Sequence, residues 1–301
     1  MPPQHGFTSP LRYPGGKGAL ANFVKLVVIR NGLRDGHYAE PYAGGAGIAW
    51  PLLFGEYSRH VHINDLSIQV YSFWRAVLDH TESLCRLISD THVSMATWNR
   101  QRNVHDNPGS FSLLEVGFST FFLNRTNRSG ILTGGVIGGK RQQGVWKLDA
   151  RFNKRDLIAR IVKIARYRDR ISLHNMDALA FMRTVLPRLP HRSLVYLDPP
   201  YFGKGKGLYE NRYRPEDHKE VAEAVTRRLS LPWIVSYDTD REIAHLYKGH
   251  RARRYDLSYS AQSRYAGSET MFFSPGLTLP RVAHPAFVTT TDVARTATYS
   301  S

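Results

Sequence analysis

The chain has 301 residues, 42% of them hydrophobic, enough for one large domain or a domain carrying a sizeable insertion. Its 41 Lys and Arg against 25 Asp and Glu give a formal charge of +16, which makes nucleic acid the expected partner, and no basic helix with a strong apolar face offers itself to an anionic membrane. A single cysteine, Cys85, excludes an internal disulfide and a cysteine-based zinc cluster, and the 13 histidines show no metal-binding spacing; with no spanning apolar run and no secretory leader pattern, the expected protein is cytoplasmic, metal-free and off the membrane.

Residues 11–18 form a tight glycine turn carrying Arg12 and Lys17, followed by a predicted helix over 19–29. Small residues let the backbone approach a ligand, and Lys17 is placed to pair with a ligand's carboxylate or phosphate. Residues 38–50 then read as a short strand, a glycine-rich elbow at Gly44, Gly45 and Gly47, and a helix. Such an elbow turns bare N–H groups toward an anionic or zwitterionic ligand, although its spacing is not that of a dinucleotide loop. Residues 60–63 alternate as a strand that ends at Asn64-Asp65. An acid there suits ribose hydroxyls and equally suits capping the helix that follows. Together, elbow and acid point to a nucleoside-containing cofactor.

From 66 to 123 the apolar spacing is helical in several stretches, around 71–78 and 113–118, with a loop at 105–110; this region is expected to be a helical insertion between strands. Between Asn124 and Arg155 eight Lys and Arg face one acid, Asp149. Arg125, Asn127, Arg128, Lys140, Arg141 and Gln142 are the candidate DNA contacts here, because Arg, Asn and Gln read base edges and Lys and Arg bind phosphates. The same composition also describes a solvated charged loop.

A helix over 155–167 leads to a strand at 171–175 that ends near Asp177, an acid placed to receive a purine amino group. The next strand, 193–197, runs into Asp198-Pro199-Pro200-Tyr201. Two successive prolines stop the strand and hold the carboxylate at its C-terminal edge, where open α/β sheets bind ligands. Carbonyl acceptors beside a carboxylate, with an aromatic ring next in line, suit an amino group on a flat ring. Residues 201–211 form a basic aromatic loop with Lys204 and Lys206, a lid or a clamp on nucleic acid. A helix over 215–229 and strands at 233–238, 253–259 and 270–273 complete the domain. Beyond 275 the chain is rich in Thr, Ser and Ala and is expected to be disordered.

This order of motifs resembles the Dam-like, D12-class DNA N6-adenine methyltransferases over roughly residues 9–275. The resemblance implies an α/β fold, a Rossmann-like S-adenosylmethionine-dependent methyltransferase sheet with a helical and basic target-recognition insertion. Residues 1–66 and 156–275 are then the catalytic domain, 67–155 the insertion and 276–301 the tail. Tyr13, Gly16 and Lys17 resemble the family's N-terminal cofactor motif, and Glu40, Pro41, Tyr42, Gly44 and Gly45 its S-adenosylmethionine loop. Asp65 is similar to its ribose acid, Asp177 to its acid for the cofactor's adenine, and Asp198, Pro199, Pro200 and Tyr201 to its catalytic motif. The family's elbow has a second glycine where this chain has Ala46.

The implied activity is site-specific methyl transfer from S-adenosylmethionine to adenine N6 of a base flipped out of double-stranded DNA, without a metal. A bacterial or phage setting follows, with a cognate restriction endonuclease as candidate partner. Cytosine C5 methylation is excluded, since its cysteine nucleophile sits in a Pro-Cys pair and Cys85 follows Leu84. N4-cytosine methylation, which makes the same demands on an exocyclic amine, and a non-catalytic DNA-binding regulator on the same fold stay open.

Overall fold

The computed structural model describes residues 8–12, 17–202, 213–259 and 265–298. The expectations for Tyr13, Gly16, Lys204 and Lys206 fall outside the described residues.

The run Leu-Val-Tyr-Leu of β4 (Leu194–Leu197), apolar throughout and buried at every position, has the pattern of a central parallel strand covered on both faces. Beside it lie β1 (His37–Glu40), β2 (His60–Asn64), β3 (Ile171–His174) and β5 (Trp233–Asp238), with a hairpin of β6 (Arg251–Tyr259) and β7 (Tyr265–Phe273) at one edge. The sheet has seven strands in the order β3-β2-β1-β4-β5-β7-β6. β1 to β5 pair in parallel, and β7 runs antiparallel to both β5 and β6. The order reverses between β1 and β4, so the crevice for a ligand lies at the C-terminal ends of those two strands.

Side chains alternate between two apolar layers, as the period of two requires. Tyr38, Ile63, Leu194, Tyr196, Ile234 and Met271 pack with α1 (Ala21–Arg30), α2 (Ala49–Phe54) and the helices inserted between β2 and β3. Ala39, Val195, Leu197, Val235 and Tyr237 face α8 (Ala178–Thr184), α9 (Pro215–Glu223) and α10 (Arg241–Leu246). The predicted helix over 215–229 ends earlier as an α-helix and finishes in a π turn, Ala224–Arg228. The predicted helix over 19–29 begins with a 3-10 turn, Lys17–Leu20.

The insertion between β2 and β3 carries α3 (Ile68–Asp79), α4 (Thr81–Asp90), α5 (Met95–Asp106), α6 (Leu113–Thr126) and α7 (Lys154–Ala165). Ser67, Ser94 and Ser112 cap three of them, Ser112 in a capping box with Glu115. α3 and α6 meet at Gly117, where a Cβ would stand 2.6 Å from the Ser72 carbonyl oxygen. The insertion is thus packed onto the core rather than hung from it.

The tail departs from expectation. Its described part, 276–298, ends in α11 (Thr290–Thr298), which Thr289 and Asp292 cap through mutual hydrogen bonds. Asn22 of α1 donates to the Val288 carbonyl at 3.0 Å, Asn31 to the Thr278 carbonyl at 3.0 Å, and Val288 and Val293 are buried. Sparse valines and backbone acceptors for two α1 amides dock a segment whose composition alone suggests disorder.

A row of histidines crosses the edge of the second face. His37 and His62 meet at 3.0 Å between ring nitrogens, His60 reaches Ser172 at 2.9 Å, and the His62 and His174 rings stack. Burial first, then the neighbouring histidines, push His62 down to about 3; burial, then His37 and Arg170, push His60 down to about 4. The unfolded chain takes up protons near pH 6.5 that the folded chain refuses, so stability is full above that pH and falls as pH drops toward 4. Thermal unfolding midpoints measured from pH 7.5 to 5 should decline, and His62→Leu should flatten the slope. Equal slopes for wild type and His62→Leu contradict the assignment, since the raised Glu40 and Asp198 act on both proteins alike.

Candidate active site

The glycine elbow after β1 is pinned from behind. Trp74 Nε1 donates to the Gly44 carbonyl at 2.9 Å, Trp50 Nε1 to the Gly45 carbonyl at 3.3 Å, and Gly44 N–H to Asp65 Oδ2 at 2.9 Å. Gly44 takes φ 47° and Ala46 φ 49°. The alanine therefore occupies a left-handed position that favours glycine. Asn64, fully buried, donates to the carbonyls of Pro41 and Met176 and accepts from Met176 N–H, tying the ends of β1, β2 and β3 together.

The turn carrying Lys17 rests on this elbow: a Cβ on Gly47 would lie 3.0 Å from Gly18 N and 3.3 Å from its Cα. Lys17 is thereby delivered to β4, and its ammonium lies 3.0 Å from Asp198 Oδ1 and 3.0 Å from Glu269 Oε1. Sequence placed Lys17 on a ligand; the structure places it on two carboxylates of the protein, with 6% of the residue exposed. Ser236 of β5 donates to Asp198 Oδ1 at 2.9 Å and receives the Tyr196 hydroxyl at 3.0 Å. Tyr201 donates to Glu269 Oε1 at 3.1 Å, Tyr255 donates to Glu269 Oε2, and the Lys17 ammonium sits 5.5 Å from the centre of the Tyr201 ring. Asp198 Oδ1 thus takes two bonds, while Oδ2 takes none among the described residues. Pro199 is buried and Pro200 half-buried, which fixes the turn after β4.

Burial pushes the Asp198 carboxyl up to about 6, against the pull of Lys17 and with the push of Glu269. Burial alone would lower Lys17, but Asp198, Tyr201, Glu269 and Tyr255 outweigh it and hold the ammonium well above its ordinary value. Glu40, at the end of β1, is 4% exposed and accepts from the Tyr38 hydroxyl at 2.9 Å; burial carries it up to about 8.

Beside this cluster, the ends of β1 to β3 line a second part of the cleft. Asp65 Oδ1 accepts from Ser67 N–H at 2.9 Å, and the next residue, Leu66, is 47% exposed. Asp177, an exposed residue, accepts from Leu179 and Ala180 N–H through Oδ1 as the cap of α8. The Tyr42 and Tyr213 hydroxyls meet at 3.0 Å across the cleft. Carboxylates for hydroxyl and amino groups, an exposed apolar side chain, tyrosine rings and a buried acid for a cation match the donor set of S-adenosylmethionine. Among the described residues no group of three or more His, Cys, Asp or Glu is placed to hold a metal ion.

The basic segment divides. Arg128, Lys140 and Arg141 are exposed. Arg125 and Asn127 are not, which corrects their reading as DNA contacts: Arg125 donates to the Arg151 carbonyl at 2.9 Å and is 8% exposed, and fully buried Asn127 accepts from Trp98 Nε1 and donates to the carbonyls of Ile131 and Leu132. Gln142 is likewise turned inward, bonded to Ile137 and Gly139 carbonyls and to Leu148 N–H. A polar side chain next to a sharp turn serves the turn's own backbone before any partner. The loop that Gln142 braces presents Val145 and Trp146, 91% and 71% exposed. Sequence reasoning passed over both, together with Glu269, Tyr255 and Ser236. For Trp146 the signal was an aromatic amid cations; for Glu269 it was an acid leading into the apolar run Met-Phe-Phe.

A seven-strand α/β sheet with an antiparallel hairpin and this cleft defines a methyltransferase of the S-adenosylmethionine-dependent class. The family model of the D12 class N6 adenine-specific DNA methyltransferases matches residues 13–261, and the chain belongs to that family. It acts on DNA and depends on S-adenosylmethionine. No curated protein sequence matches the chain. Among solved structures it is similar to the rRNA methyltransferase aviRa from Streptomyces viridochromogenes, at 12% identity and TM-score 0.37 over 84% of this chain and 82% of that one. It is also similar to a SAM-dependent methyltransferase from Agrobacterium tumefaciens, at 10% identity and TM-score 0.35 over 85% and 62%.

Because Gly47 touches backbone, a larger side chain must lift the Lys17 turn off the elbow. Gly47→Val should destabilise the protein by about 1–3 kcal/mol in a denaturant titration. An unchanged midpoint contradicts this packing.

Proposed function

We propose that Asp198, Pro199, Pro200 and Tyr201 hold the target adenine and that Asp198 Oδ2 receives a proton of its N6 amino group. The observation that supports this is the division of labour on one carboxylate: Oδ1 is anchored by Lys17 and Ser236, whereas Oδ2 takes no bond among the described residues and the side chain keeps 23% exposure. An adenine amine is a poor nucleophile because its lone pair is delocalised into the ring. A hydrogen bond to Asp198 and one to the Pro199 carbonyl favour a pyramidal nitrogen and accommodate the positive charge it develops. Tyr201 stacks on the extruded ring and offsets part of the unstacking, which costs a few kcal/mol.

Glu40, Pro41, Tyr42, Gly44, Gly45, Asp65 and Asp177 hold S-adenosylmethionine, Asp65 at the ribose and Asp177 at the adenine. When bound, the cofactor supplies the methyl group and keeps the electron pair of the broken S–CH3 bond on sulfur. Lys17 is reassigned from the cofactor to the support of Asp198.

Residues 67–155 form the target-recognition part, docking on double-stranded DNA. Arg128, Lys140 and Arg141 contact phosphates or base edges, and Val145 and Trp146 supply the apolar contact that such basic loops make with stacked bases. Residues 1–66 and 156–275 make up the catalytic part. The setting we infer is the cytoplasm of a bacterium or of a phage-infected cell, with a restriction endonuclease of matching specificity as candidate companion. No helix of the described residues is long and apolar enough to cross a membrane.

Asp198→Asn keeps the shape and removes the acceptor charge, so kcat should fall roughly 10²–10³-fold with S-adenosylmethionine binding retained. Because the acceptor must be ionised, the wild-type rate should rise with pH through about 6 and level off above. Full activity in Asp198→Asn sinks the assignment. On the DNA side, Lys140→Ala and Arg141→Ala should each reduce the salt slope of DNA binding by about one, and Trp146→Ala should weaken DNA binding, all with cofactor affinity intact. Loss of cofactor binding instead contradicts the recognition surface.

A further inference from the structure

Glu269 lies on β7, in the antiparallel edge hairpin, outside every segment that the motifs tie to methyl transfer. It has no solvent exposure and stands 252 residues from Lys17, yet Oε1 meets both the Lys17 ammonium, at 3.0 Å, and the Tyr201 hydroxyl, at 3.1 Å, while Oε2 takes the Tyr255 hydroxyl. A buried carboxylate with that many partners is a built feature, since an ionised group is expensive to desolvate.

We propose that Glu269 is a positioning residue for the methyl transfer: it divides the Lys17 ammonium with Asp198, so that Asp198 stays a strong acceptor for the substrate amine, and it fixes the ring of Tyr201. The proposal rests on the catalytic reading of Asp198. A buried Lys17–Asp198 pair by itself is electrically neutral and ties up the acceptor. With Glu269 on the same ammonium, two carboxylates share one cation, an arrangement that complements both a cationic methyl donor and an amine turning cationic. Among the described residues, the groups that face Glu269 include Lys17 from the 3-10 turn before α1, Tyr196 and Asp198 from β4, Tyr201 from the turn beyond it, Tyr255 from β6, and Asp238 opposite it in the β5–β7 ladder. Lys17 is the cation within bonding distance of both Asp198 and Glu269. Glu269 raises the proton affinity of Asp198, and Lys17 lowers it; the balance sets how well Asp198 accepts.

The test is methyl transfer from labelled S-adenosylmethionine to DNA from a methylation-free host, by wild type, Glu269→Gln, Lys17→Met, the double variant and Asp198→Asn, with a melting curve for each. Glu269→Gln retains the shape and the hydrogen-bond acceptor. Its kcat should fall about tenfold or more, and the acidic limb of its pH–rate profile should move to lower pH, because removal of the like charge leaves Lys17 to Asp198 alone. A role confined to packing would not move that limb. In the Lys17→Met background the same substitution should change kcat by no more than about threefold, a coupled pair; the double variant removes both charges of the Lys17–Glu269 pair, leaves Asp198 on Ser236, and is read against Lys17→Met alone. A folded Glu269→Gln enzyme with wild-type kcat and limb overturns the proposal, as does an equal loss in both backgrounds. If Asp198→Asn retains full transfer, the catalytic reading itself fails, an outcome separate from the other two.

Discussion

The structure turns on a buried ion cluster in which one ammonium, Lys17, lies 3.0 Å from each of two carboxylates, Asp198 and Glu269. Each member comes from a different region: the N-terminal turn, the end of β4 and the edge hairpin. Buried charges are tolerable only when paired and hydrogen-bonded, and here Ser236, Tyr201 and Tyr255 supply the remaining bonds. The cluster therefore requires that β7 lie beside β5 and that the 3-10 turn starting at Lys17 rest against the elbow. Catalytic geometry and chain closure are the same constraint.

The second constraint is the reversal of strand order between β1 and β4. It opens the crevice and sets the elbow of β1 beside Asp198. Two indoles hold the elbow's carbonyls inward, and Asp65 holds Gly44 N–H. Gly18 and Gly47 touch backbone to backbone, so the elbow that faces the cofactor also seats the turn that carries Lys17. Cofactor side and substrate side are mechanically joined.

Much of this was legible in the chain. Asp198-Pro199-Pro200-Tyr201, the elbow and Asn64-Asp65 are local patterns, and each lies at a strand end because prolines, glycines and a turn-forming acid interrupt apolar runs. Ala46 marked the one irregular position, and it indeed adopts a left-handed conformation. Lys17 was legible as a site residue but not in its partner, because its carboxylates come from β4 and from β7. Glu269 was legible only as an acid entering an apolar strand: its meaning depends on a cross-sheet neighbour, which sequence periodicity does not report. Arg125, Asn127 and Gln142 misled for the converse reason, since composition cannot tell a guanidinium or amide that braces a loop from one that reaches outward. The tail was misread because its order comes from Asn22 of α1 and from Asn31 at that helix's C-terminus, rather than from periodicity of its own.

The central claim is that this cluster directs a methyl group to the N6 of adenine in DNA. The most direct measurement is nucleoside mass analysis of DNA from a methylation-free host that expresses the protein. The account predicts N6-methyladenine, confined to one sequence context, and no N4-methylcytosine. N4-methylcytosine as the product, or no methylated base from a folded protein that binds DNA, would contradict it.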